Sequence, residues 1–109
     1  MNISIENIFD GEFKNNSEII KELYNDNNTK IEIIYSNNAS TDYMVSDLDE
    51  YVFLIEGCAT LEFKENDIFL ERGNYFLIPK NTTHRVKNTS DNAIWLTIYL
   101  GEKKCKEIN

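Results

Sequence analysis

The chain has 109 residues, 41% of them hydrophobic and 12% aromatic, and a formal net charge of -8 from 19 acidic and 11 basic side chains. That length suits one domain able to bury its own core without metal or disulfide staples, and the acidic excess with no basic cluster excludes a phosphate backbone, hence nucleic acid, as a partner. The longest apolar runs, Tyr51 to Ile55 and Tyr75 to Pro79, fall far short of the roughly 20 residues a membrane helix needs, and Met1 to Glu6 lacks a basic region followed by an apolar stretch, so no membrane association and a cytoplasmic location are expected.

In chain order, the first element is Ser17 to Tyr24. Ile19, Ile20, Leu23 and Tyr24 recur there at helical spacing, with Asn16 or Ser17 available as a cap, which predicts one short helix packed on the outside of the domain. Asn25 to Thr29 ends it with turn-forming residues. Residues 1–29 are thus expected to form an N-terminal segment.

From Lys30 the pattern becomes short β-rich runs: Lys30 to Ser36, Tyr51 to Glu56, Cys58 to Lys64, Ile68 to Leu70, Tyr75 to Ile78, His84 to Asn88 and Ala93 to Leu100. Gly57, Glu65 to Asp67, Glu71 to Gly73 and Ser90 to Asn92 supply the turns between them, and Pro79 closes its run rather than interrupting it. Several short strands at regular spacing indicate an all-β sandwich or barrel over residues 30–100. Residues 101–109 are expected to be a polar tail. Cys58 and Cys105 are far apart in sequence, and without a secretion signal they read as two free thiols.

Alternation assigns faces. Ala59, Leu61 and Phe63 share the core side of their strand, and His84, Val86 and Asn88 share one side of theirs, so the imidazole is expected to look inward. Tyr51 to Ile55 is apolar on both faces, which leaves the direction of Glu50 open. The last strand is aliphatic on one face and presents Trp95, Thr97 and Tyr99 on the other. A terminal strand apolar on both faces favours self-association into a homodimer.

Two stretches carry a resemblance. Gly73, five residues, Pro79, four residues, His84, three residues and Asn88 resemble the second motif of the cupin superfamily, and Glu50 to Gly57 resembles the end of the first. The resemblance covers about residues 30 to 100 and implies a double-stranded antiparallel β-barrel, jelly-roll-like, in which His84 and Glu50 occupy metal-ligand positions. The His-x-His pair of the first motif would fall at Met44 and Ser46, or at Tyr43 and Val45, and neither pair contains a histidine; His84 is the only one in the chain. The glycines expected near residue 37 or 38 and at 81 are replaced by Asn37 or Asn38 and Asn81, and asparagine tolerates left-handed backbone best after glycine.

The ligand set is therefore incomplete. Asp47 or Asp49 could add a carboxylate, and Tyr43 a phenol, to His84 and Glu50, giving a rearranged site for manganese, iron, nickel or zinc, or for harder ions if oxygen dominates. Glu50, His84, Tyr43, Tyr75 and Asn88 are the candidates for lining a small-molecule pocket. Three functional readings follow: a binding module holding a small polar molecule, a metal-dependent oxygenase or isomerase, and a metal-free acid and base enzyme using Glu50 with His84. A purely structural Glu50 and His84 pair stands beside them.

Overall fold

A computed structural model describes residues 2–101. These form eight strands: β1 (Ser17–Asn25), β2 (Thr29–Asn37), β3 (Asp49–Glu56), β4 (Cys58–Phe63), β5 (Asp67–Glu71), β6 (Tyr75–Ile78), β7 (His84–Thr89) and β8 (Ala93–Leu100). They make two antiparallel sheets, one five-stranded in the order β1-β2-β8-β3-β6 and one three-stranded in the order β5-β4-β7. This is the all-β, jelly-roll-like double-sheeted barrel that the strand spacing and the motifs predict.

The first element departs from expectation. Ser17 to Tyr24 is not a helix but β1, hydrogen-bonded along β2 with Glu18 opposite Ser36 and Ile20 opposite Ile34. Eight residues make a marginal helix in water, whereas the free edge of β2 offers a full ladder. The turn decides the outcome: the Asp26 carboxylate accepts from the backbone N–H groups of Asn28 and Thr29, both at 2.8 Å, folding the chain back as a hairpin. What does lie on the outside of the sheet is the preceding segment, with a 3-10 turn at Ile8–Asp10 capped by the Asn7 side chain.

The main core lies between the sheets and contains Val52, Leu54, Ala59, Leu61, Leu70, Ile78 and Trp95. A second cluster of Ile33, Tyr35 and Ile94 sits on the opposite face of the larger sheet, where Ile8 and Phe13 cover it. The Tyr35 hydroxyl donates to the Ile8 carbonyl at 2.7 Å, and Phe13 meets the Tyr35 ring edge-on. The outward aliphatic face of β8 is thus partly covered by the chain's own N-terminal segment.

Asparagines hold the turns where glycine was expected. Asn38 and Asn81 have φ of 49° and 61°, in the left-handed region where asparagine costs least among residues with a side chain. Between Asn38 and Ser46 the chain runs beside β7 without forming a regular strand. Met44 and His84 exchange backbone hydrogen bonds at 2.8 and 3.0 Å, Thr41 N–H donates to the Val86 carbonyl, and Asn81 N–H donates to that of Ser46. This segment fixes the start of β7, and with it His84.

Candidate functional site

Glu50 enters the site as the second residue of β3, in register with Tyr99 of β8 and Ile78 of β6. His84 enters as the first residue of β7, stacked on the Phe63 ring. Both are buried, at 7% and 4% exposure, and His84 Nε2 lies 3.7 Å from Glu50 Oε1. The other ring nitrogen, Nδ1, is 2.9 Å from the Thr82 carbonyl oxygen. A carbonyl only accepts, so Nδ1 carries a proton and Nε2 faces the carboxyl.

The two residues share a cavity of about 110 Å³ between the sheets. Its floor is hydrocarbon from Ile34, Val52, Leu61, Val86 and Trp95, and its polar groups are Glu18, Glu32, Glu50, His84, Thr97 and Tyr99. Lys30, Met44, Val45 and Ser46 stand at a mouth where Glu50, His84 and Tyr99 are reached from outside. The sheet register places the polar groups in rows: Thr97 lies between Glu32 and Val52, and Tyr99 between Lys30 and Glu50.

Burial dominates the electrostatics. It pushes the Glu50 carboxyl up to about 7; the Tyr99 hydroxyl hydrogen bond and the Lys30 ammonium act against this, while the neighbouring Glu32 carboxylate adds to it. Glu18 is also raised by burial, although its carboxylate accepts from Ser36 Oγ at 2.9 Å, which in turn accepts from the Trp95 indole N–H at 3.1 Å. Tyr99 is raised strongly by burial and by the facing carboxylates. A carboxyl that titrates near neutrality beside an imidazole is able to take or give a proton at physiological pH.

The sequence-predicted site residues divide. Glu50 and His84 come together as expected, with Glu50 pointing inward beside Val52. Tyr43 does not: it is 56% exposed on the far side of its segment, where its hydroxyl donates to Glu62 and Arg85 stacks on its ring. Tyr75 is 69% exposed and stacks on Phe53, because it sits on the outer face of the β3–β6 pair. Asn88 also faces solvent. A bulge in the β4–β7 ladder pairs Thr60 with Asn88 but the next residue, Leu61, with Val86, so alternation breaks at Lys87 and Thr89 turns inward instead. Asp47 is exposed and lines neither the cavity nor its mouth.

Among the described residues no three His, Cys, Asp or Glu side chains form a group able to hold a metal ion. The family ligand positions offer one imidazole and one carboxylate, and Glu18 and Glu32 do not converge with them, where such ions take three or four protein ligands, so the set does not fit a resident iron, manganese, nickel or zinc. Met44 faces the cavity while Tyr43 does not, which puts the first of the missing motif histidines at Met44. Cys58 is a free thiol, and Cys105 lies outside the described residues.

Sequence reasoning missed Glu18, Glu32 and Lys30, and placed Thr97 on one face of the last strand without naming it a site residue. Glu18 was hidden in the segment that reads as a helix. Glu32 did leave a signal, since it interrupts the apolar run from Ile31 to Tyr35 on the same parity as Ile34 and Ser36.

Fold and cavity together define a small antiparallel double-sheeted barrel with a polar-rimmed pocket between its sheets. The family model for the cupin domain matches residues 39–99, more than half of the chain, and the chain belongs to the cupin family. Among solved structures, a protein from Ralstonia eutropha JMP134, provisionally assigned as a mannose-6-phosphate isomerase, is 25% identical, with a TM-score of 0.83 over 92% of this chain and 100% of that one. A cupin superfamily protein from Desulfitobacterium hafniense DCB-2 shares 17% identity and a TM-score of 0.76 over 84% of each chain. A conserved Streptococcus pyogenes protein of unknown function shares 10% identity and a TM-score of 0.82 over 95% of this chain and 92% of that one.

Proposed function

We propose that this cupin is a cytoplasmic, homodimeric binding module that holds one small polar molecule between its sheets. The observation that carries the reading is the cavity itself, an apolar floor that includes Trp95, rimmed by the buried Glu50 and His84 and the half-buried Tyr99. Hydrocarbon supplies affinity there, and a few fixed polar groups supply orientation and choice. A metal-dependent oxygenase or isomerase is not supported by the donor set. The name of the Ralstonia protein points to a phosphorylated hexose, but such a molecule is larger than about 110 Å³ and would bring an anion toward Glu18, Glu32 and Glu50.

A fragment panel followed by methyl NMR tests the reading. Molecules of a few non-hydrogen atoms are expected to shift the methyl signals of Ile34, Val52 and Val86 at millimolar concentration, and His84→Ala is expected to stay folded while weakening those shifts severalfold. Manganese, iron, nickel and zinc are expected to leave the melting temperature unchanged. A panel that moves no cavity methyl overturns the binding reading; a large stabilisation by one metal restores the metalloenzyme.

A further inference from the structure

The charge inside the cavity is unbalanced. Glu18, Glu32 and Glu50 enter from β1, β2 and β3, the last two separated by β8, while one fixed cation, Lys30, reaches the rim. Its ammonium lies 4.4 Å over the Tyr99 ring and 4.0 Å from Glu32 Oε2. His84 adds a positive charge only when doubly protonated. Glu32 is the centre of the row, since its charge acts on both Glu18 and Glu50.

A second observation points into the same space. Thr97 is 2% exposed, lines the cavity beside Glu32, and its Oγ1 is a buried side-chain oxygen with no hydrogen-bond partner. A buried hydroxyl left unpaired is costly and rare in a finished core. Paired across the ladder, Thr97 and Glu32 offer two acceptors, one neutral and one charged, over a hydrocarbon floor.

We infer that the molecule this cavity takes is a small organic cation, a primary ammonium on a short hydrocarbon body. The ammonium donates to Thr97 Oγ1 and the Glu32 carboxylate, and the Glu18 and Glu50 carboxyls add attraction. The hydrocarbon lies on Ile34, Val52 and Trp95. The size follows from the volume: about 150 Å³ accommodates benzene, so about 110 Å³ limits the ligand to roughly five non-hydrogen atoms. Among the described residues the three carboxyl groups do not converge into a group able to hold a metal ion, yet an ammonium needs only one or two of them in contact and feels the remainder at longer range.

This inference rests on the binding reading above, and a matched series separates the two. The probes are n-butylammonium, n-butanol and butyrate, titrated into the wild-type chain at low salt and followed by the methyl signals of Ile34, Val52 and Val86. The ammonium is expected to bind at least tenfold more tightly than the alcohol, and butyrate to shift nothing. Glu32→Gln should weaken the ammonium about tenfold and the alcohol by at most about twofold. Thr97→Val, which removes only the unpartnered hydroxyl, should weaken the ammonium about fivefold, and it decides the matter if Glu32→Gln fails to fold. Equal or tighter binding of n-butanol or butyrate overturns the choice of a cation while leaving the binding module intact. Silence of all three probes does the same if other fragments move the cavity methyls, and defeats both readings if none does. Ammonium shifts confined to surface acids, or unaffected by Thr97→Val, also overturn the inference.

Discussion

Glu50 ties the site to the stability of the fold. Its carboxyl is raised from 4.5 to about 7 by burial, so between those values the folded chain keeps a proton that the unfolded chain has released. Stability from this group is therefore present below about pH 4.5, falls as pH rises toward 7, and is level above that. Glu50→Gln replaces the protonated form with a neutral group of the same shape. It is expected to match the wild type near pH 4 and to exceed it by up to about 3 kcal/mol at pH 8. Urea unfolding at the two pH values measures this, and equal offsets at both would show that Glu50 does not carry the pH dependence. The same scale shows how legibility varies. Asn38 and Asn81 could be recognised as glycine substitutes because a left-handed φ is a local demand that few residue types meet. Asn88 reads as inward by alternation yet faces solvent, because the bulge that turns it outward belongs to the ladder between β4 and β7 and leaves no mark in His84 to Asn88 alone.

At the scale of elements, β1 and the segment before it exchange the roles expected of them. Ile19, Ile20, Leu23 and Tyr24 satisfy both a helical period and an exposed edge strand, and the hairpin closed by Asp26 selects the strand. The change matters for function, since only a strand carries Glu18 and Ile20 onto the cavity wall. The covering role falls to residues near Ile8 and Phe13, where Gly11 packs directly against the Tyr35 ring. A Cβ at Gly11 would run into that ring, so Gly11→Ala is expected to cost about 1–3 kcal/mol as the segment lifts or Tyr35 turns away. Thermal unfolding of the variant checks this, and a wild-type melting temperature would mean that the segment does not press on the sheet.

For the molecule as a whole, the proposed homodimer has its argument in β1. This edge strand leaves Ile20, Leu23 and Tyr24 about half exposed, and an edge with apolar side chains is a natural place for a second chain to pair. Sedimentation at micromolar concentration is expected to report twice the 12.8 kDa chain mass, and Leu23→Lys to shift the equilibrium toward the monomer. A 12.8 kDa species for the wild type would refute the dimer. Among the described residues no helix is long and apolar enough to cross a membrane, in keeping with the short apolar runs of the sequence.

From sequence alone came the strand-rich run from Lys30 onward, its turns, and the inward aim of His84. These follow from turn chemistry, two-residue alternation and motif spacing, all of which act over a few neighbouring residues. What only the tertiary structure decided was which strands lie side by side. The pairing of β1 with β2, of β2 with β8 and of β8 with β3 brings Glu18, Glu32, Thr97 and Glu50 to one wall from positions up to 79 residues apart. No local pattern encodes that meeting, because cross-strand neighbours are chosen by the burial of whole sheets and not by the residues beside them in the chain.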